Sequence, residues 1–316
     1  MSLPRQVLPG CDYMLTRRCS ERRFFLRPDP EANNAFLYCL GLAVQASGVE
    51  ILFVTAMSNH YHVGLHDPHG RHPEFSERFH GLLARCLNAH RGRFENFWSS
   101  EPTSVVRLVE PNDVLEKTVY AYTNPVAADL VDTVDDWPGI CSMRSAFTTG
   151  VLTARRPRFF FREASDLPLT VSIPVGRPQG FRDLSANQWE TLVTERVRRT
   201  EAEYRERRRQ KRKSILGRQG VLGQKPSSCP NTRAQRFDMN PKVAARSKWA
   251  RVEALQRFKA FVQKHALAIK AWTAGMVNVL FPFGTYRMRR FANVTCELPD
   301  VDPDTPAQGG LCLNSA

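Results

Sequence analysis

Apolar and polar positions in the first 150 residues resolve into short segments of two different periods. Residues 11–18 (Cys-Asp-Tyr-Met-Leu-Thr-Arg-Arg) alternate as a strand does. Phe36, Leu37, Leu40, Leu42, Ala43 and Val44 recur at helical spacing within 31–47, and Asp29-Pro30 ahead of them is a helix start signal. The run 49–57 (Val-Glu-Ile-Leu-Phe-Val-Thr-Ala-Met) is rich in β-formers, Ser58-Asn59 has turn chemistry, and 60–66 predicts a returning strand. Phe75, Phe79, Leu82, Leu83, Cys86 and Leu87 predict a helix over 74–95. A strand over 105–109 and a short helix over 113–123 follow. Asn124-Pro125 should end that helix, because proline steers the residue before it away from helical backbone. The order β-α-β-β-α-β-α describes an α+β fold, a small antiparallel sheet with helices packed on one face.

The pattern changes beyond that point. From 151 to 186 proline accumulates (Pro157, Pro168, Pro174, Pro178) and periodicity fades, which reads as a linker. Helix returns over 187–213, and ten Lys or Arg stand against three Glu between Arg196 and Lys213. Such a run is a solvated face or a nucleic-acid contact, and its density favours the contact, with Arg208 and Arg209 among its candidates. A polar stretch to about 240 precedes a helix over 242–275, where Leu255, Phe258, Val262, Ile269 and Trp272 predict a core stripe. Phe281-Pro282-Phe283-Gly284-Thr285 reads as a turn into a short basic strand, and the tail after Glu297 is of disordered composition. The expected organisation is a domain over 1–150, a linker over 151–186, a mainly helical basic extension over 187–296 and a disordered tail over 297–316. No internal repeat is visible.

Hydrophobic content of 42% and charged content of 24% are ordinary, but a formal net charge of +14 is not. A positive field of that size favours polyanionic partners, nucleic acid or an anionic membrane surface, over a merely basic exterior. No apolar stretch is long enough to span a bilayer, and the N-terminus lacks a signal-peptide core. The eight cysteines are scattered with no C-x-x-C pair, the usage of reduced thiols, so a cytoplasmic protein is expected.

His60 and His62 sit two apart on a predicted strand and therefore share a face, with Tyr61 and Val63 on the other. Two adjacent imidazoles are half of a metal site; a pair of surface histidines explains the spacing equally well. His66 lies on the same face, but Gly64 interrupts a His-x-His-x-His series. Tyr120 and Asn124 are four apart and would share a helix face. A tyrosine phenol can act as a nucleophile and an amide oxygen can complete a coordination shell, although a core tyrosine at a helix end is the plainer account of Tyr120 alone.

Taken together these pieces resemble the single-tyrosine HUH transposases, in particular the REP-associated tyrosine transposases of bacteria, an IS200-like group. The resemblance is carried by Pro4-Arg5, Leu8-Pro9-Gly10, Thr16-Arg17-Arg18, Met57-Ser58-Asn59-His60-Tyr61-His62-Val63, Tyr120 with Asn124-Pro125-Val126, Leu130-Val131 and Asp136-Trp137-Pro138, over residues 4–145. It implies an HUH endonuclease fold of the ferredoxin-like or RRM-like kind. It also implies Mg²⁺ or Mn²⁺ held by His60, His62 and Asn124, with Tyr120 as nucleophile and Tyr122 as its rival. Ser58 stands where the family usually has proline, and Ala127 and Asp129 where Arg and Gly are usual, departures that bear on target preference more than on chemistry.

The implied reaction is attack of Tyr120 on a phosphodiester of single-stranded DNA, leaving a 5′-phosphotyrosine and a free 3′-hydroxyl, followed by rejoining. Hairpin or palindromic repeats are the implied partner; monomer and homodimer both stay open, and a nucleoid-associated location follows. Arg17, Arg18, Arg22 and Arg23 are candidate phosphate contacts, while Phe24, Phe25 and Tyr61 are either base-stacking or core residues. Competing readings are a replication initiator or relaxase, for which no helicase or primase module is visible, a DNA-binding regulator without catalysis, and a metal-dependent hydrolase unrelated to DNA.

Overall fold

The computed structural model describes residues 3–232 and 241–299. The predicted alternation becomes strand β1 (Cys11–Arg18), the apolar run and its return become β2 (Glu50–Ala56) and β3 (His60–Asp67), and a fourth strand is β4 (Ser104–Leu108). They form a sheet of order β2-β3-β1-β4, antiparallel throughout, to which the short β7 (Val243–Ala244) adds parallel to β4. Helices α1 (Pro30–Ser47), α2 (His72–His90) and α3 (Pro111–Ala127) fill the remaining predicted positions. The α+β class therefore holds.

Helices cover both faces of the sheet rather than the single face expected. Tyr13, Leu15, Tyr61, Val63 and Leu65 pack with residues of α1 and α2 in one apolar cluster. Met14, Phe53, Val106 and Leu108, pointing the other way, pack with Val114, Leu115, Val119 and Tyr122 of α3. The reason lies in β2 and β3, which are buried along almost their whole length; a two-sided apolar strand needs cover on both sides. Each such side chain that leaves water stabilises the fold by about 1.5–3 kcal/mol.

A register shift between Ile51 and Phe53 puts Leu52 and Phe53 both on the α3 side. Phe53 then lies across Gly64, where an added Cβ would meet its ring at 2.0 Å. Gly64 thus breaks the histidine series because an aromatic ring occupies the place of its side chain.

Helix α3 does not stop before Pro125 but runs to Ala127. Proline's missing N–H costs one intrahelical bond, while the chain beyond is held by Ala128 N–H to Asn124 O and Leu130 N–H to Pro125 O. Asn124 consequently stays helical. Helix α2 ends at His90, short of the expected 95, where Gly92 adopts φ +61°.

After α4 (Met143–Thr148), residues 151–186 are not structureless. They contain the hairpin β5 (Val151–Arg155) and β6 (Thr170–Pro174), whose buried Leu152, Ala154, Val171 and Ile173 pack on α1. Alternation in these five-residue strands is too short to stand out beside four prolines. Helix α5 (Ala186–Gln210) opens with a Ser185–Gln188 capping box and lays Trp189, Val193 and Val197 into the α3 cluster. A short α6 (Gly217–Gly223) follows.

Residues 8–255 form one compact unit, and the described residues before and after them a second. Helix α7 (Lys248–Thr273) buries Ala254, Phe261 and Ala268, whereas Leu255 and Trp272 of the expected stripe are exposed. In the second unit His265 lies between Phe261 and Phe281, and Val7 N–H donates to Gly284 O. The expected basic strand is instead helix α8 (Arg287–Ala292). Of the predicted disordered tail over 297–316, residues 300–316 lie outside the described residues. Among the described residues no helix is long and apolar enough to cross a membrane, and the seven cysteines are free thiols.

Candidate active site on strand β3 and helix α3

Strand alternation turns His60 and His62 toward α3, their rings 4.9 Å apart at 83°. Opposite His62, in register on β1, stands Thr16, and opposite His60 stands Arg18. Helix α3 crosses this face and brings Tyr120 with its ring 5.3 Å from that of His62, and Asn124 with Nδ2 3.3 Å from His62 Nε2. The structure thus brings all four predicted residues together, although Tyr120 and Asn124 are some sixty positions from the histidines in sequence.

Hydrogen bonds fix the tautomers. Asn124 Nδ2 can only donate, so His62 Nε2 accepts and the ring proton sits on Nδ1, which donates to Thr16 Oγ1 at 2.8 Å. Asn59 Oδ1 can only accept, so His60 Nδ1 donates to it at 2.7 Å. Both rings therefore carry their lone pair on Nε2, each held in place by an oxygen behind it, as imidazole ligands of metals are. The ring charges are suppressed as well. Burial, reinforced by the charges of Arg18 and Arg22, lowers the His60 pKa to about 4. Burial, then His60 and Lys117, hold His62 well below its ordinary value. Neutral imidazoles at neutral pH are what a cation requires.

Tyr120 is 43% exposed, so its phenol can meet a large substrate. Burial of the rest of the residue raises its pKa, partly offset by a hydrogen bond from Asn124. The Lys117 ammonium lies 5.5 Å from the Tyr120 ring centroid. Tyr122 differs in every respect: 1% exposed, packed against Phe53, and hydrogen-bonded to Ser142 Oγ at 3.0 Å. It is a core residue.

Among the described residues no group of three or more His, Cys, Asp or Glu could hold a metal ion. A cation at this site would depend on the two imidazoles and on the amide oxygen of Asn124, which would have to turn its Nδ2 away from His62 Nε2 to present that oxygen. These neutral donors fit Mn²⁺ at least as well as Mg²⁺. His66 is not part of the site: its Nδ1 pairs with Asp12 at 2.8 Å and its Nε2 meets Gln179 at 3.2 Å.

The predicted DNA-binding arginines divide. Arg18 pairs with Glu101 at 2.8 Å on the surface, Arg23 with Glu21 at 2.8 Å, and Arg22 donates to Thr232 Oγ1 at 2.8 Å. Arg17 is drawn inward, donating to His80 Nδ1 at 2.6 Å beneath Trp98. Arg208 is buried and pairs with Asp132 and Asp129, and Arg209 pairs with Glu206 along its own helix. Phe24, Phe25 and Tyr61 are all buried, so none stacks on bases without rearrangement. Sequence reading overlooked the positioning oxygens of Thr16 and Asn59, and Lys117. Lys117 stands three before Tyr120, a helical spacing that could have been read; the pairing of Thr16 with His62 needs the strand register.

No family model matches the chain, and no curated protein does. Similar solved structures include a REP-associated tyrosine transposase bound to a REP hairpin, at 16% identity and TM-score 0.38 over 54% of this chain and 96% of that one. Another is a Deinococcus radiodurans R1 protein described as a candidate transposase, at 19% identity and TM-score 0.28 over 37% of this chain and 93% of that one. Likenesses this weak carry no weight for the activity.

Proposed function

We propose that the protein is a metal-assisted single-strand DNA endonuclease and strand transferase of the transposase type, with Tyr120 as nucleophile. The observation that carries this reading is the convergence of two unprotonated Nε2 atoms, the Asn124 amide and the half-exposed Tyr120 phenol on one face. His60, His62 and Asn124 would hold Mg²⁺ or Mn²⁺. Such an ion, when bound, polarises a phosphate oxygen and favours the phenolate.

The chain's own groups do the rest. The Tyr120 oxygen forms a bond to phosphorus as the bond from phosphorus to the 3′ oxygen breaks. The phenolic proton passes to solvent water and solvent returns one to the departing 3′ oxygen, which leaves as a hydroxyl, so no net proton is consumed. The 5′ end stays on the protein as a phosphotyrosine. Running the step backwards with another 3′-hydroxyl rejoins strands without an external energy source. Asn124 steadies the phenol through its hydrogen bond, and Lys117 adds positive charge where the phenolate develops. Hairpin or palindromic single strands are the proposed substrate.

Incubation with a labelled single-stranded hairpin and Mn²⁺ tests the proposal. Cleavage should require the metal, and Tyr120→Phe should abolish it. Metal-independent cleavage, or binding of the hairpin without cleavage, would point to another nuclease site or to a regulator without catalysis.

A further inference from the structure

A cleft of about 680 Å³ is built from three separate segments, within the range of roughly 300–1,000 Å³ typical of small-molecule sites. One wall is the turn carrying Glu21, Arg23 and Phe25; a second is the loop after α2 with Arg93, Phe94 and Asn96; Ser227, beyond α6, supplies the third. The first wall is fastened to the histidine site. Asn59, whose Oδ1 orients His60, donates from Nδ2 to Arg22 O at 3.2 Å, and its carbonyl accepts from Cys19 N–H at 2.8 Å. That wall is therefore tied to Asn59, the residue that orients His60.

The lining chemistry selects a ligand. Phe94 is 99% exposed, a bare aromatic face with no packing partner of its own. The Arg93 guanidinium lies 3.7 Å from the Phe25 ring centroid, and its buried Nε–H meets no acceptor. A phosphate does not suit this cleft, because Glu21 and Glu95 line it and the Arg23 guanidinium already donates to Glu21 at 3.0 and 2.8 Å. A neutral, planar group with donors and acceptors on its edge does suit it: the carboxylates and the Asn96 amide can read such an edge, and aromatic and guanidinium planes can stack on its face.

We infer that this cleft receives one unpaired nucleobase of the DNA strand whose phosphate is presented to Tyr120, with Phe94 as the stacking surface. The inference rests on the nuclease reading above and adds a site to it. It also assigns work to part of the extension. Leu222 O accepts from Arg27 at 2.5 Å, Ser227 O from Arg23, Ser228 O from Phe24 N–H at 2.9 Å and Thr232 Oγ1 from Arg22 at 2.8 Å. Residues 222–232 thus clasp the turn that forms the first wall.

The test compares full-length wild type with Phe94→Ala and Phe94→Trp, changes at a position so exposed that the fold is not at stake. The probes are a random-sequence single-stranded oligonucleotide pool and an abasic strand of equal length. Phe94→Ala should weaken binding of the pool by about tenfold, Phe94→Trp should retain it, and the abasic strand should bind all three alike. In the wild type, 5-iododeoxyuridine in the pool should photo-crosslink within residues 93–96. Unchanged pool affinity in Phe94→Ala, or an equal loss on the abasic strand, overturns the base site while leaving any adduct at Tyr120 untouched. Base-dependent binding through Phe94 without a Tyr120 adduct keeps the cleft and removes the nuclease reading. A wild type that binds neither strand overturns both.

Discussion

The histidine face of β3 and the basic run on α5 are both dense clusters of polar side chains, and the fold treats them oppositely. At the first, neighbours orient the functional groups and leave most of their capacity open: Thr16 and Asn59 occupy the Nδ1 atoms, His62 Nε2 meets only the long 3.3 Å contact with Asn124 Nδ2, and Tyr120 stays half-exposed. At the second, the chain's own acids take up much of the charge. Arg196 pairs with Glu116, Arg198 with Asp135 and Glu201, Arg205 and Arg208 with Asp132, and Lys213 with Asp129. Three of those acids lie between residues 129 and 135, just past the end of α3, so the basic helix in part ties the extension to the site-bearing domain. A count of cations measures the field a chain can produce; which cations are left for a partner depends on the fold.

Substitutions can break this contrast. The largest effect is expected for His62→Ala, which removes a metal donor and should lower Mn²⁺-dependent cleavage by well over about 100-fold, read as product per unit time on a single-stranded hairpin. Thr16→Val keeps the donor and removes only its support; Mn²⁺ affinity should fall by about 10- to 100-fold, measured by paramagnetic resonance of the free ion. On α5 the readout is stability. Arg208→Ala should destabilise by about 1–2 kcal/mol in urea denaturation, because it removes the buried guanidinium that pairs with Asp132 and Asp129 and leaves Asp132 only its longer contact with Arg205. Lys211→Ala, on the exposed end of the same helix, should change stability by less than about 0.5 kcal/mol and lower the salt slope of DNA binding by about 1.

Acid separates the two regions again. His60 is held neutral down to about 4 against an ordinary 6.5, and His62 is shifted the same way. Between those values the unfolded chain binds protons that the folded chain refuses, so stability is full above about pH 6.5 and declines as pH falls toward 4. Urea midpoints taken at pH 7 and pH 5 should show this drop, and His60→Asn should lessen it.

Much of this was legible in the sequence. Alternation placed β1 and β3 to within a residue, and the His-x-His spacing fixed a shared face because strand geometry leaves no other choice. The i, i+4 spacing of Tyr120 and Asn124 proved sound because helix α3 passes through Pro125, although that proline argued for an earlier stop. What stayed hidden depends on contacts distant in sequence. Which of Tyr120 and Tyr122 is buried is decided by Phe53 and Ser142, and whether Arg208 is available is decided by an acidic loop more than seventy residues away. Core registers on long helices were also ambiguous: the buried stripe of α7 runs through Ala254, Phe261 and Ala268, and small alanines advertise burial poorly beside Leu255 and Trp272.

Mapping the covalent adduct tests the central claim most directly. After reaction of the full-length protein with a single-stranded hairpin and Mn²⁺, nuclease and protease digestion followed by mass spectrometry should find a nucleotide-bearing phosphotyrosine on Tyr120, and Tyr122→Phe should leave it there at a stability cost of about 1 kcal/mol. A modification on Tyr122 or elsewhere, or cleavage that proceeds with no protein-bound nucleotide, would contradict the account.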